Sequence, residues 1–148
     1  MKRTFLLFTI AFCIFAVSCS SSGGDDLPPL SEAPESSRLA AVCALQAIME
    51  IAYDYEIGGV LTPNVTVSAD GSTYTYSNAE RDVTFDYRDY TVNLTGNAVS
   101  KSESVMVINL TVVRCVAASG TYFCTLNMET KNNKVTKVVL DGKEYDPD

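Results

Sequence analysis

The sequence contains no histidine among its 148 residues. Serine–histidine and cysteine–histidine nucleophilic sites depend on an imidazole base, so this chain can form neither type of catalytic site. Zinc sites with histidine ligands and imidazole pH switches are excluded for the same reason. Carboxylates and cysteines are the groups left to consider for catalysis or metal binding.

Basic residues are also scarce. The chain has 11 lysines and arginines against 18 aspartates and glutamates, which gives a formal net charge of −7. Proteins that bind nucleic acid carry basic patches, so the balance argues against a nucleic-acid partner. It argues equally against electrostatic docking on anionic lipid, because such docking uses clusters of lysine and arginine.

The apolar run near the start of the chain is too short to span a membrane. It extends over residues 5–17, follows the basic pair Lys2 and Arg3, and contains no charge. As a helix it would be roughly 20 Å long at about 1.5 Å per residue. A transmembrane helix needs about twenty apolar residues. The run instead has the length of the apolar region of a secretory signal peptide.

This run ends in Ala-Val-Ser-Cys at residues 16–19. The tetrapeptide resembles the lipobox of bacterial lipoprotein precursors, in which a diacylglycerol is attached to the cysteine and the preceding peptide is removed. The resemblance implies that residues 1–18 are cleaved and that Cys19 carries the lipid. Because Ser20 is not the aspartate associated with inner-membrane retention in enteric bacteria, the outer membrane is favoured. The alternative is an ordinary signal peptide cleaved elsewhere.

The segment behind Cys19 predicts a tether. Residues 19–37 are rich in serine, glycine, proline and acidic residues, a composition typical of a linker between a lipid anchor and a domain. Removal of Lys2 and Arg3 with the signal peptide would change the net charge from −7 to −9. Residues 38–148 then have the size of one domain with a single core.

A buried helix is predicted at the start of this domain, over about residues 38–56. Ser36 or Ser37 can cap its N-terminus, and the glycines at 58–59 end it. Nearly all other positions are apolar, so the helix is expected to be buried on most sides. Its polar side chains recur every four residues and form one narrow stripe: Gln46, Glu50 and Asp54.

From Val60 onward the apolar pattern changes to a period of two, which is typical of strands. Hairpin turns are predicted at 70–71, 88–89 and 119–120, and a last strand over 135–140 precedes a solvated acidic tail. About seven strands with no helix between them indicate an α+β fold. In it the N-terminal helix packs against an antiparallel, meander-like curved sheet. The predicted turns imply the pairs 67/74 and 65/76, then 83/94, 85/92 and 87/90, then 111/128, 113/126 and 115/124.

Five cysteines reduce to three if Cys13 is cleaved away and Cys19 is lipidated. The compartment beyond the inner membrane permits disulfides. The third hairpin places Cys115 opposite Cys124, so these two are predicted to form a disulfide. Cys43 is left inside the apolar helix, where an unpaired cysteine packs as a small apolar residue. A three-cysteine metal site would lack the usual CxxC spacing.

Other groups have both a functional and a structural interpretation. The eight tyrosines alternate along the strands and suit either sheet packing or an aromatic platform for a carbohydrate or peptide. Glu80, Asp82 and Asp86 contain the paired carboxylates that glycoside hydrolysis needs, but Asp82 and Asp86 also share the polar side of an alternating strand. The acids of the tail lack the order of an EF-hand loop.

These observations predict a lipid-anchored protein of the cell envelope that is a non-enzymatic binding or assembly module, with no cofactor. A carrier that holds a hydrophobic ligand between the helix and the sheet is the second hypothesis. An enzyme that uses carboxylates alone is the third. The expected partners are the membrane, through the lipid, and an envelope protein, a glycan or an apolar ligand.

Overall fold

A computed structural model describes residues 27–147 of the chain. A short 3-10 helix (Leu30–Glu32) leads into one long helix, α1 (Glu35–Gly58), which is followed by strands without another helix. The predicted signal peptide, Cys13 and Cys19 lie outside the described residues. The seven strands are β1 (Val65–Val67), β2 (Thr73–Phe85), β3 (Arg88–Ser100), β4 (Val105–Ala117), β5 (Gly120–Lys131), β6 (Lys134–Leu140) and β7 (Lys143–Tyr145).

The strands form one open antiparallel sheet in the order β1-β2-β3-β4-β5-β6-β7, so each strand pairs with the next one along the chain. One face of this curved sheet packs against α1, which contacts β2, β3, β4 and β5. The predicted α+β class and meander order are confirmed. One detail differs: the seventh strand lies inside the acidic tail, where β7 pairs with β6 and Tyr145 is buried. That part of the tail is not a solvated terminus.

Helix α1 is buried along most of its length because small and branched apolar residues surround it. Eleven of its residues are buried, five of them alanines, which let the backbone approach the sheet closely. Gly59 ends the helix in a left-handed conformation (φ 67°), as the sequence predicts. The inward side chains of the sheet that complete the core include Leu94, Ile108, Leu110, Leu126 and Met128.

The helix begins at Glu35, earlier than predicted, and neither serine caps it. Pro34 occupies the N-cap position, whereas Ser37 is buried in the first turn. The Ser37 hydroxyl donates a hydrogen bond to the Oδ2 atom of Asp141, 2.5 Å away. The local sequence predicts that this hydroxyl caps the helix. In the structure it instead binds a residue 104 positions further along the chain.

Residues 28–33, predicted as part of the tether, pack on the domain and form what we call the N-terminal strap. The backbone nitrogen of Leu30 donates to the carbonyl of Asp146 at 3.1 Å, and the nitrogen of Asp146 donates to the carbonyl of Pro28 at 2.8 Å. Leu30 and Ala33 are buried. An extended proline-containing segment suits pairing at a sheet edge. Because these residues pack on the domain, the domain begins earlier than the predicted boundary between tether and domain at residue 37.

One of the three predicted hairpins has the predicted register. Val67 opposes Tyr74 and Val65 opposes Tyr76. The second turn lies at Asp86-Tyr87, not at residues 88–89, because these two residues adopt the positive φ angles of a two-residue turn. Each β2 residue from Ala79 to Phe85 therefore pairs four positions earlier on β3 than predicted. An even shift leaves Val83, Val92 and Leu94 on their predicted inner face, whereas Tyr87 lies in the turn and is exposed.

The third hairpin turns at residues 118–119, one position earlier than predicted. Cys115 therefore lies opposite Tyr122, and Cys124 lies opposite Val113. The two cysteines still share the inner face, but they are diagonal neighbours instead of direct partners. Diagonal β-carbons lie about 7–8 Å or somewhat less apart, whereas a disulfide needs about 3.5–4.5 Å. The register that supported a Cys115–Cys124 disulfide is wrong.

Irregular pairing in the middle of the sheet depends on Gly96. The ladder between β3 and β4 shifts register between Thr95 and Gly96, and Gly96 has φ +143°. A β-carbon at this position would lie 2.1 Å from the backbone oxygen of Asn109, which is an impossible contact. Such bulges bend and twist a strand. This glycine therefore helps the sheet to curve over α1.

Candidate functional site

The polar stripe of α1 meets one basic residue of the sheet. Arg81 lies on β2, and its Nε atom donates to Oε2 of Glu50 at 3.2 Å. Its Nη1 atom donates to Oδ2 of Asp54 at 2.5 Å. Gln46 extends the cluster, since its amide nitrogen donates to Oε1 of Glu50 at 3.0 Å. One guanidinium thus joins the helix to the sheet through two carboxylates.

The cluster is only partly shielded from water. Side-chain exposure is 27% for Arg81, 30% for Glu50 and 36% for Asp54. Burial lowers the pKa of Arg81, but the bonds to Asp54 and Glu50 outweigh it, so the net shift is upward and the guanidinium stays charged. At this exposure each ion pair contributes on the order of 1 kcal/mol or less to stability.

Two adjoining grooves share Asp54 and Arg81, and together we call them the acidic groove. The first, about 310 Å³ in volume, runs along α1 and includes Met49 and Tyr53 in its wall. The second, about 440 Å³, lies between β2 and the loop after α1, and Glu80 and Asp82 form part of it. The groove is lined by four carboxylates and one guanidinium, which leaves a net charge of −3.

Apolar side chains are exposed beside this groove. Tyr53 and Ile57 are one helical turn apart on α1 and are 51% and 63% exposed. In the following loop, Val60 and Leu61 are 63% and 43% exposed, and both line the second groove. Contiguous exposed apolar surface beside polar residues is typical of interaction sites. We call these four residues the apolar rim.

The sequence singled out Gln46, Glu50 and Asp54 as a polar stripe but did not predict the rest of this site. Arg81 is two residues from Ala79 and from Val83, both buried on the inner face of β2. Because side chains alternate between the two faces of a strand, Arg81 lies on the same face as these buried residues. A charged residue at such a position was the signal that Arg81 faces the helix. The apolar rim carried no comparable signal, because its residues fit the apolar pattern of the core.

The three described cysteines lie together between α1 and the sheet. Cys43, Cys115 and Cys124 are buried and free. Interaction with the Cys115 thiol, followed by burial, raises the pKa of Cys43, and the same interaction lowers the pKa of Cys115. Burial, together with the nearby carboxylate of Asp141, raises the pKa of Cys124 to about 12. Burial alongside other core residues matches the predicted packing role of Cys43.

The acids considered for hydrolysis are dispersed. Glu80 and Asp82 line the acidic groove, while Asp86 lies in the β2–β3 turn. Asp82 accepts a hydrogen bond from the hydroxyl of Thr91 at 2.7 Å. Asp82 therefore forms a cross-strand polar pair on the outer face of the sheet.

The tyrosines do not form one aromatic surface. Four of them are buried in the core: Tyr74, Tyr76, Tyr90 and Tyr145. Tyr87 is fully exposed at a hairpin tip, and Tyr53 belongs to the apolar rim. The hydroxyl of Tyr74 donates to Glu56 at 2.9 Å, and its ring meets that of Tyr55 edge to face at 6.1 Å. Sheet packing accounts for the buried tyrosines, as the pattern of alternation indicates.

Within residues 27–147, no three cysteines or carboxylates are grouped so that they could hold a metal ion. In the same part of the chain, no helix combines the length and the apolar character needed to cross a membrane. Comparison with protein-family models, with curated proteins and with solved structures finds no match to this chain.

Proposed function

We propose that this protein is a lipid-anchored component of the bacterial cell envelope and acts as a non-enzymatic binding or assembly module. The apolar rim beside the acidic groove is the observation that carries the proposal. It combines exposed apolar area with a concentrated negative charge. The anchor rests on the lipobox resemblance at residues 16–19, and Ser20 favours the outer membrane.

The packing of α1 supports recognition at the surface. Alanines and isoleucines of the helix occupy the concave side of the sheet, and Ile48 and Ile51 have no exposed area. The helix thereby takes the space in which a carrier would hold its ligand. Recognition is then expected at the outer surface, where the apolar rim places four exposed apolar side chains within nine residues of the chain.

The charge of the groove specifies the chemistry of the partner. A net charge of −3 along the whole acidic groove, next to exposed Val60 and Leu61, suits a protein surface that offers lysine or arginine next to apolar side chains. Complementary charge of this kind speeds encounter and fixes orientation. We therefore propose an envelope protein with a basic and apolar patch as the partner.

Site-specific photo-crosslinking in the host tests this proposal. A photoreactive phenylalanine analogue placed at Tyr53, in the apolar rim, should form a discrete protein adduct in intact cells. The same analogue at Tyr87, an exposed tyrosine in the β2–β3 turn that lines neither groove, is the matched control. The proposal requires that Arg81→Gln and Leu61→Asp alter the yield of the Tyr53 adduct. Equal adducts at both positions, or none at Tyr53, would contradict it.

The anchor has its own test. Cys19→Ala should abolish incorporation of labelled palmitate and leave uncleaved precursor or released soluble protein. Cys43→Ala, a change within the folded domain, is the control and should keep the label. Equal labelling of the Cys19 variant and the wild type would refute the anchor while leaving the groove proposal untouched.

One observation favours the alternative function, a carrier of a hydrophobic ligand. The hydroxyl of Tyr76 is buried in the core and has no hydrogen-bond partner among the described residues. Burial and the neighbouring Tyr74 raise its pKa, so the group stays protonated and can donate a hydrogen bond. If the interior holds no ligand, Tyr76→Phe should leave stability equal or higher, because an unpaired buried hydroxyl is costly. A carrier would lose its copurifying ligand in native mass spectra of this variant.

A further inference from the structure

One side of β2 has no neighbouring strand over much of its length. β2 extends over Thr73–Phe85, whereas the edge strand β1 pairs only with its residues 74–76. The loop before β1 does not continue this pairing, and its residues 60–63 line the second groove together with residues 80–82 of β2. Residues 79–85 of β2 therefore pair with β3 on one side and are open on the other, where they border the acidic groove.

The register of the β2–β3 hairpin determines which backbone groups face the open side. Phe85 and Arg88 flank the two-residue turn and form the first, hydrogen-bonded pair of the ladder. Because antiparallel pairs alternate in type along a ladder, residues 80, 82 and 84 lie in non-hydrogen-bonded pairs. Their backbone N–H and C=O groups therefore point away from β3. Among the residues that the structure describes, these groups have no backbone partner.

We infer that the partner binds by strand addition: an extended segment of a second protein pairs antiparallel with residues 79–85 of β2 and adds an eighth strand to the sheet. The inference rests on the proposed function, because the segment belongs to the same basic and apolar partner. Open strand edges bind extended peptides in this way, with main-chain hydrogen bonds for affinity and side-chain contacts for specificity. The antiparallel direction follows the rest of the sheet, in which every strand pair is antiparallel.

The side chains at the edge specify the sequence pattern of the added strand. Glu80 and Asp82 are exposed on the outer face, and neither forms an ion pair with another described residue. On the inner face, the charge of Arg81 is already paired with Glu50 and Asp54. Side chains of a strand alternate between the two faces. An added strand that places lysine or arginine on the outer face and apolar residues toward the end of α1 therefore fits the edge.

Charge also decides between the possible occupants of this edge. A second copy of the chain would bring its own Glu80 and Asp82 close to those of the first, and like charges on paired strands destabilise the pairing. Charged side chains commonly protect sheet edges against self-association. Because both charges here are negative, they oppose a second copy and favour a basic strand. A partner segment with lysine or arginine at alternate positions is therefore the occupant that fits.

Synthetic peptides provide the direct test. The probe is Val-Lys-Val-Lys-Val-Lys-Val with blocked ends, and its affinity for the wild-type protein is measured by calorimetry. In the inferred pairing the lysines lie opposite residues 80, 82 and 84, so their N–H groups face β2. N-methylation of the three lysines should weaken binding at least tenfold, whereas N-methylation of three valines should leave it nearly unchanged. Equal binding of the two methylated peptides would mean attraction by charge alone and would overturn the inference.

A variant of β2 provides a matched measurement on the protein side. Asp82→Pro removes one N–H that faces the open side, a position at which an edge strand tolerates proline. Asp82→Asn removes the same charge and keeps the N–H. The unmodified peptide should bind Asp82→Pro about tenfold more weakly than Asp82→Asn, which corresponds to the loss of about one hydrogen bond. Equal affinities contradict strand addition. If Asp82→Pro does not fold, the methylated peptides still decide.

Amide hydrogen exchange locates the bound strand. In the free protein the amides of residues 80, 82 and 84 should exchange rapidly, whereas those of residues 81 and 83, which bond to β3, should be protected. The peptide should slow exchange in the first set and leave the second unchanged. Protection of the first set without peptide, together with a dimer in size-exclusion chromatography, would show that a second copy occupies the edge and would overturn the inference.

The photo-adduct at Tyr53 separates this inference from the proposed function. An adduct that persists with Asp82→Asn and is lost with Asp82→Pro supports both. An adduct of equal yield in the two variants supports the binding surface and contradicts strand addition. Absence of any adduct at Tyr53 contradicts the proposed function, whereas the two methylated peptides still test strand addition at the open edge.

Discussion

The beginning and the end of α1 have opposite surroundings although they belong to one continuous helix. From Ala40 to Ala52 nearly every side chain is buried against the sheet. From Tyr53 to Gly58 most side chains are exposed, and the acidic groove opens beside them. The buried and the exposed residues of α1 are therefore separated along the helix axis more than around it. The first part stabilises the fold, and the last turns are available for recognition.

The largest expected effect on stability is the difference between substitutions at two isoleucines of this helix. Ile48→Ala removes a fully buried side chain and should lower the free energy of unfolding by about 3 to 4 kcal/mol. Ile57→Ala removes an exposed one and should change it by less than about 0.5 kcal/mol. Urea titration of both variants measures the difference. Similar losses at the two positions would mean that the end of the helix is packed as tightly as its middle.

The N-terminal strap provides the next contrast. Leu30 is buried, whereas Leu61 of the apolar rim is partly exposed. Leu30→Ala should therefore lower the free energy of unfolding by about 2 kcal/mol, at the low end of the range for a buried leucine. Leu61→Ala should cost under about 0.5 kcal/mol. Removal of residues 20–26 should leave the melting temperature unchanged, and a further deletion to residue 33 should lower it by several degrees.

Arg81 connects the two parts of the helix to the sheet. Arg81→Gln removes the positive charge between Glu50 and Asp54 and should lower the free energy of unfolding by about 1 kcal/mol. The loss should shrink in high salt, because the pairs are partly exposed. Arg114→Gln, at an exposed position on β4, is the control and should have little effect. A loss that is independent of salt would contradict an electrostatic role.

The smallest effect concerns the turn that joins the edge strand β1 to β2. Hydrogen bonds from Ser68, and then from Ser72, lower the pKa of Asp70 from 3.8 to about 2. A lowered folded-state pKa means that the stabilisation is present above about pH 4 and is lost as the pH falls toward about 2. Carboxyl NMR titration should give the low value, and Ser68→Ala should raise it. An unchanged pKa in that variant would exclude the hydroxyl as the main cause.

Much of the fold could be predicted because it depends on the pattern of apolar, polar and glycine residues along short stretches of the sequence. The alternation of apolar residues with a period of two after Val60 determines which side chains face inward. The two misplaced turns left Val83, Val92, Leu94, Val113, Cys115, Cys124 and Leu126 on the inner face, as predicted, whereas Thr111 and Tyr87 are exposed. The narrow polar stripe and the glycines at 58–59 determine a buried helix and its end. Such patterns follow from backbone geometry alone, since a strand repeats every two residues and a helix every 3.6.

The tertiary structure decided which distant residues meet. Ser37 bonds to Asp141, the strap pairs beside Asp146, and Arg81 meets the helix. The cross-strand neighbours of Cys115 and Cys124 depend on a turn whose position differs from the predicted one by a single residue. The sequence determines the position of a hairpin turn only weakly when several neighbouring dipeptides can adopt the backbone φ and ψ angles of the turn. The sequence by itself therefore determined the fold class and most side-chain faces, while long-range packing determined the acidic groove and brought the three buried cysteines into one core.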